Sequence, residues 1–169
     1  MLKTAVGLLL ALFVLPALPG APQQTESTSL VVRIEPEARI DPQQVELHFR
    51  VSPGGGSDVI MQVAVVAAWV RATPGHQIRA IARLMNLNGP AGPIPANAVR
   101  WTGAVLNASA GAQGAACSSG VFTPDTAHDL VQGWDRSGKL TCMVNFELSA
   151  RDLPPGEYSG LVGLALGQR

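Results

Sequence analysis

Most of the residue types that carry out chemistry in proteins fall between the only two cysteines of this chain. The segment runs from Cys117 to Cys142 and reads CSSGVFTPDTAHDLVQGWDRSGKLTC. It holds a histidine, three aspartates and a tryptophan, residue types used for proton transfer, metal binding and ligand stacking. A catalytic site, a metal loop and a structural excursion from a sheet are the three interpretations to separate.

The two cysteines themselves favour the structural interpretation. In an exported protein, two cysteines in apolar, strand-like surroundings most often form a disulfide, and Cys142 lies in the apolar stretch LTCMV. A reactive thiol needs a cationic and exposed setting instead. We therefore predict a disulfide between Cys117 and Cys142, which closes a loop of about 25 residues and stabilises the fold by about 3.5 kcal/mol on the chain-entropy estimate.

Inside this loop, the stretch FTPDTAHDLVQG has the sequence features of a short helix. Thr123 is suited to the N-cap and Pro124 to the first helical position, where a missing N–H costs nothing. Asp125 complements the positive end of the helix dipole, and Gly133 ends the pattern. The sequence predicts one short helix between the cysteines.

On that helix, Asp125, His128 and Asp129 would project near one another. Asp and His one turn apart can ligate a metal, but zinc usually needs a third protein ligand in the correct geometry. Calcium needs more oxygen ligands than the segment offers. We therefore predict no metal site and no cofactor, and keep these three residues as the candidates for metal ligands.

The same loop also contains the residue types of a hydrolase triad. Ser119 or Ser137 would be the nucleophile, His128 the base, and Asp129 or Asp135 the residue that orients it. However, the chain has no GxSxG elbow, and an aspartate directly after the histidine is awkwardly placed to bond to it. We predict no catalytic residues and no enzyme activity.

A binding role for the loop depends on its tryptophan. Trp134 follows Gly133 in the polar turn QGWDRSG, beside Asp135 and Arg136. An exposed aromatic next to charged residues is suited to stacking on a sugar or anchoring a protein interface. The alternative is that Trp134 packs back over the disulfide and belongs to the core.

The N-terminus predicts export. A short cationic start, an apolar run from Val6 to Leu18 and small residues after it form a signal peptide over residues 1–20. We expect residues 21–28 to be a flexible polar segment and residues 29–169 to form a single domain. The longest later apolar run, Val63 to Val70, is too short for a membrane helix. We therefore expect a secreted or periplasmic protein with no transmembrane segment in the mature chain.

Charge argues against nucleic acid as a partner. The chain has 12 Lys and Arg against 12 Asp and Glu, a formal net charge of zero, and no run of like charge. Proteins that bind nucleic acids present a basic patch or stripe to the phosphates. We predict no nucleic-acid binding.

The rest of the chain consists of short strand-like segments separated by Pro and Gly. QVELHFRV alternates apolar and polar residues, and VIMQVAVVAAWVRA is apolar on both phases, which predicts a central strand with Trp69 in the core. QIRAIARLMNL, within residues 77–87, fits a strand or a helix, and the turn before it favours the strand. About eight such segments predict an all-β fold, an antiparallel sandwich.

Two segments carry a resemblance to a known family. LPPGEYSGLVGLAL, from Leu153 to Leu166, and GPIPANAVRW, from Gly92 to Trp101, resemble segments of bacterial extracellular immunoglobulin-like β-sandwich modules. The resemblance implies an immunoglobulin-like fold in a secreted setting and names no catalytic residues. The cysteine spacing departs from that of antibody-type domains, whose disulfide joins residues farther apart.

These features together predict a non-enzymatic structural or adhesive surface protein, or an assembly component. Its partners would be other protein subunits, reached by strand addition through the polar N-terminal tail that precedes SLVVRI or through the apolar final strand. The alternative is a small module that binds a carbohydrate or a protein with the 117–142 loop. A hydrolase is the third possibility.

Overall fold

The computed structural model describes residues 37–53, 59–72 and 75–168. The predicted signal peptide, the polar segment 21–28 and the strand-like SLVVRIEP lie outside the described residues. Short 3-10 helices cover Ala96–Ala98 and Ala110–Ala112. The strands are β1 Glu37–Asp41, β2 Gln44–Val51, β3 Val59–Arg71, β4 Ile78–Gly89, β5 Gly92–Pro93, β6 Val99–Ala108, β7 Ala116–Cys117, β8 Gly120–Val121, β9 His128–Asp129, β10 Val131–Gln132, β11 Gly138–Ser149 and β12 Gly156–Gln168.

The long strands form two antiparallel sheets. Sheet A has the order β1-β3-β11-β6-β8, and sheet B has the order β2-β12-β4-β5, with β9 also paired to β4. The short strands β7 and β10 pair with each other. The chain passes from sheet A to sheet B between β1 and β2, where the Asp41–Pro42 peptide is cis. The all-β antiparallel prediction is therefore confirmed.

Period-two alternation positions the core. In β2 the four apolar residues Val45, Leu47, Phe49 and Val51 are buried and the polar residues between them are exposed. Such alternation buries one face of a strand and leaves the other in water. The inward faces of β4, β11 and β12 supply half of the other buried apolar residues.

Residues 78–89 form strand β4, so the strand interpretation of QIRAIARLMNL is confirmed. The short helix predicted between the cysteines is wrong. Asp125 has a φ of 56°, in the left-handed region, which is incompatible with the first turn of a helix. His128 and Asp129 then pair with β4, and Val131 and Gln132 pair with β7. Strand pairing across the fold outweighs the local capping preference.

The final strand is committed within its own sheet. β12 pairs with β2 along residues Gly156–Gly163 and with β4 along residues Ser159–Gln168. β12 therefore carries a ladder on both edges from Ser159 to Gly163 and on one edge beyond. Strand addition through the final strand or the N-terminal tail stays a prediction.

Candidate functional site

The disulfide predicted from the sequence is present. Cys117 in β7 and Cys142 in β11 are joined, with their Cα atoms 6.1 Å apart. Gly103 in β6 makes the close approach possible, because a Cβ there would lie 2.6 Å from the carbonyl oxygen of Ser118. The bond fixes one end of the 117–142 segment to the centre of sheet A.

Beyond Cys117, short strands of the segment pair with both sheets. β8 pairs with β6 of sheet A, and β9 pairs with β4 of sheet B. The Leu130 N–H donates to the carbonyl of Ala80 at 2.7 Å, which adds a further bond to sheet B. Residues 117–142 therefore cover the edges of β6 and β4, which would otherwise be exposed for pairing.

The Trp134 side chain is buried and does not lie on the surface. Its side chain is 1% exposed, and its carbonyl accepts a hydrogen bond from the Ile78 N–H at 2.7 Å. Of the two interpretations of Trp134, the exposed aromatic anchor is wrong, and the buried core residue is confirmed. Asp135 and Arg136 are exposed, with Arg136 Nε 3.8 Å from Asp135 Oδ1. They stand beside no exposed aromatic ring.

Each of the three candidate metal ligands contacts a different residue of the fold. Asp125 Oδ1 lies 3.0 Å from Arg83 Nη2, and Asp129 Oδ1 lies 2.7 Å from Arg79 Nη2. The His128 ring packs against Trp101, with ring centroids 5.2 Å apart. Within the residues that the structure describes, no three His, Cys, Asp or Glu side chains are grouped as a metal site would require.

The triad residues are likewise not brought together. The His128 Nε2 lies 3.1 Å from the Thr123 backbone nitrogen and accepts its N–H. Ser137 Oγ accepts the Ala72 N–H at 3.0 Å, and the Asp129 carboxylate is bound to Arg79. Each of these groups has a structural partner, and in the part of the chain that the structure describes no serine, histidine and aspartate are linked by hydrogen bonds as a triad.

On the opposite side of the two sheets, a side chain and not a strand covers the edge. There β2 is the edge strand of sheet B, and β3 lies near the edge of sheet A. The inward-facing Gln62 of β3 reaches across: its Oε1 accepts the His48 N–H at 2.6 Å, and its Nε2 donates to the Glu46 carbonyl at 2.7 Å. The amide of Gln62 therefore covers the middle of the β2 edge.

The edge of β3 itself is only half covered. β1 pairs with β3 from Arg71 to Ala67 and then leaves for sheet B. Along Ile60–Val66, β3 is paired with β11 on one side, and no described strand pairs with its other side. We call this stretch the open edge. Exposed backbone N–H and C=O groups on such an edge are a template for pairing with another chain.

The outer face of β3 is apolar as well. Met61, Val63 and Val65 point away from the core and are 66%, 57% and 53% exposed. On the neighbouring strands, Met143 lies opposite Val65, and Ala104 lies opposite Met143. We call these five residues the sheet-A face. The prediction that both faces of this strand are covered is therefore wrong.

Polar and charged residues border the sheet-A face. At one end, Arg100 Nε bonds to Glu147 Oε2 across β6 and β11. At the other, Trp69 lies on the outer face, half-buried, with the Arg71 guanidinium 5.8 Å from its ring centroid. Trp69 is thus not in the core. An apolar patch with a polar border is the usual form of an interaction surface.

Sequence reasoning did not single out this side of the molecule, although two signals were present. Gln62 is a polar residue in the inward phase of an otherwise apolar strand, which marks a place where the core opens. The outward phase carries Met61, Val63 and Val65, where water-facing strands normally carry polar residues. To recognise an open edge from these two signals one must know where β1 lies, and the sequence pattern does not give its position.

Comparisons with protein-family models, curated proteins and solved structures found no match for this chain. Among the described residues, no helix is long and apolar enough to cross a bilayer. The candidate function therefore rests on the geometry of the open edge and the sheet-A face.

Proposed function

We propose that this chain is an exported, non-enzymatic protein that serves as a structural or adhesive surface component and assembles with other subunits. The observation that carries the proposal is the open edge of β3 beside the sheet-A face. A half-paired strand with an apolar outer face is costly to leave in water and favours association. No comparable feature of the described residues suggests catalysis.

The disulfide supports the compartment. A bond between Cys117 and Cys142 is stable in the periplasm or outside the cell, where thiols are oxidised. The signal peptide predicted over residues 1–20 is consistent with the same destination.

A tyrosine contact supports an immunoglobulin-like sandwich. Tyr158, near the start of β12, is buried, and its hydroxyl donates a hydrogen bond to the carbonyl of Pro154, four residues earlier. Immunoglobulin-like domains carry a related tyrosine corner, in which a tyrosine at the start of a strand bonds to the backbone a few residues upstream. The two antiparallel sheets are consistent with that architecture.

The glycan-binding alternative has less support. It requires an exposed ring in the 117–142 segment, and Trp134 is buried against Ile78. The charged pair Asp135 and Arg136 remains accessible but provides no surface for stacking. We therefore do not pursue a second function.

Sedimentation velocity of the chain from Ala21 onward tests the proposal. We expect species at multiples of the monomer mass that grow with concentration. The double variant Met61→Lys/Val65→Lys should shift this association to at least tenfold higher concentration. Met85→Lys is the matched control, since Met85 is also exposed, at 59%, but lies on β4 in sheet B.

The control should assemble as the wild type does. A wild-type chain that stays monomeric over the whole concentration range would overturn the proposal. So would equal loss of assembly in the Met85→Lys control, because the sheet-A face would then have no special role.

A further inference from the structure

We infer that the open edge of β3 receives residues 29–36 of a second copy of this chain as an added antiparallel strand. The inference rests on the proposed assembly function and names the partner of its surface. It commits to one occupant, the segment SLVVRIEP, and to one acceptor, the backbone of Ile60–Val66.

The sizes agree. The open edge is seven residues long, from Ile60 to Val66, and the segment from Ser29 to Pro36 has eight. Pro36, which has no N–H to donate, stands at the end of the segment, where a strand tolerates proline. The segment is rich in Val, Leu and Ile, as strands are.

The alternation agrees as well. Leu30, Val32 and Ile34 share one phase, while Arg33 and Glu35 stand on the other. Directly opposite residues of an antiparallel pair point to the same face. With Val32 opposite Ala64, the apolar phase faces inward like Ala64, and the charged phase faces water. In that register Val31 lies opposite Val65 and extends the sheet-A face by one strand.

The segment comes from a second copy because of where β1 lies. β1 begins at Glu37, opposite Arg71, and runs toward the open edge as far as Asp41, opposite Ala67. A copy's own residues 29–36 join the chain at Glu37, the end of β1 farther from the open edge. β1 itself occupies the edge in between, so a donated strand must arrive from another molecule.

Other donors and acceptors are less suitable. β12 is paired on both sides within sheet B. The β2 edge is capped at its centre by the amide of Gln62, and the edges of β6 and β4 are covered in part by the 117–142 segment. Along Ile60–Val66 no strand of the described residues pairs with the second edge of β3, although the Gln62 side chain at its centre contacts β2.

Donation by every copy has a consequence for the assembly. Donor and acceptor are different surfaces of one chain, so the contact builds open filaments, rings, or a dimer in which two copies exchange strands. A symmetric β3–β3 contact would also form a dimer, but it would not need residues 29–36. The peptide and the substitutions in that segment therefore separate the two arrangements.

The first test uses a synthetic peptide of residues 28–37 added to the chain from Ala21 onward. The peptide should bind the open edge, shorten the assemblies in sedimentation velocity and slow hydrogen exchange in residues 60–66. Two N-methylated peptides are the matched controls, one methylated at Val31 and Arg33 and the other at Val32 and Ile34. Since alternate amides of a strand point to opposite sides, only one of the two should lose binding.

The second test keeps the full segment and substitutes one residue on each of its two faces. Val32→Ser, on the inward phase, should weaken assembly at least tenfold, whereas Val31→Ser, on the outward phase, should change it less than threefold. Equal effects of the two variants, binding of both methylated peptides, or protection away from residues 60–66 would overturn the inference.

These outcomes are separable from failure of the proposed function. If the wild-type chain assembles and Val32→Ser assembles equally well, the donated strand is refuted and the assembly function stands. If the wild-type chain is strictly monomeric, the assembly function and the donated strand are both refuted.

Discussion

The side-chain amide of Gln62 replaces a neighbouring strand for His48. Its Oε1 accepts the His48 N–H at 2.6 Å, and the same amide donates to the Glu46 carbonyl at 2.7 Å. β2 is the edge strand of sheet B, so these backbone groups would otherwise face water or another chain. One side chain of sheet A thereby protects an edge of sheet B.

Removing that amide should loosen the β2 edge. We expect Gln62→Met, which keeps the length of the side chain, to lower the free energy of unfolding by about 0.5–1.5 kcal/mol, the net contribution of a hydrogen bond whose groups can bind water once it is lost. Hydrogen exchange at the His48 amide should accelerate. Gln44→Met, at an exposed position of β2, is the control and should change stability by less than about 0.5 kcal/mol. An unchanged exchange rate at His48 would contradict the bridging role.

Trp134 should behave as a core residue. Trp134→Ala should lower the free energy of unfolding by about 3–5 kcal/mol, because it removes a side chain that is 1% exposed. Trp134→Phe should cost less, since the indole N–H has no hydrogen-bond partner among the described residues. Chemical denaturation measures both. Arg136→Ala, two residues away and exposed, should be nearly neutral, and a larger effect there than at Trp134 would contradict the burial.

The disulfide should contribute through the length of the loop that it closes. Cys117 and Cys142 are 25 residues apart, and the double variant Cys117→Ala/Cys142→Ala should lose about 3–4 kcal/mol. Urea denaturation of the oxidised wild type and of the variant measures the difference. Wild type under reducing conditions is the control and should resemble the variant. A loss below about 1 kcal/mol would mean that the contacts of 117–142 with β4 and β6 hold the segment without the bond.

How far the sequence could predict this molecule is clear from single elements. The alternation of QVELHFRV located β2 and its buried residues, because period two follows from backbone geometry alone. The paired cysteines followed from composition and compartment. These features are local or chemical, and they do not depend on which strands become neighbours.

The features that the sequence left open or predicted wrongly depend on contacts between distant parts of the chain. Thr123, Pro124 and Asp125 have good helix-start chemistry, yet the segment pairs with β4, and Asp125 adopts a left-handed turn. For Trp134 the sequence left an exposed and a buried position open, and the fold decides for the buried one. Met61, Val63 and Val65 were expected to be covered, but they are exposed on the outer face of β3. Each outcome depends on which elements become neighbours in the fold, and a local pattern does not encode this.

Tyr158 gives the fold a dependence on alkaline pH. Burial raises the pKa of its phenol above the ordinary value of 10.0, because the phenolate would lose its hydration. The unfolded chain therefore releases this proton at lower pH than the folded one does. The contribution of Tyr158 is complete below about pH 10 and is lost as the pH rises through the folded pKa.

Two measurements check this prediction. Tyr158 is the only tyrosine, so the ultraviolet absorbance of tyrosinate reports its titration directly, and the midpoint should lie above 10.0 in the folded protein. Below about pH 10, wild type should be more stable than Tyr158→Phe by about 1 kcal/mol, through the bond to the Pro154 carbonyl. That advantage should shrink above about pH 10, because the phenylalanine variant has no proton to release. A constant difference between the two proteins across this range would show that the phenol ionises as easily in the fold as in the unfolded chain.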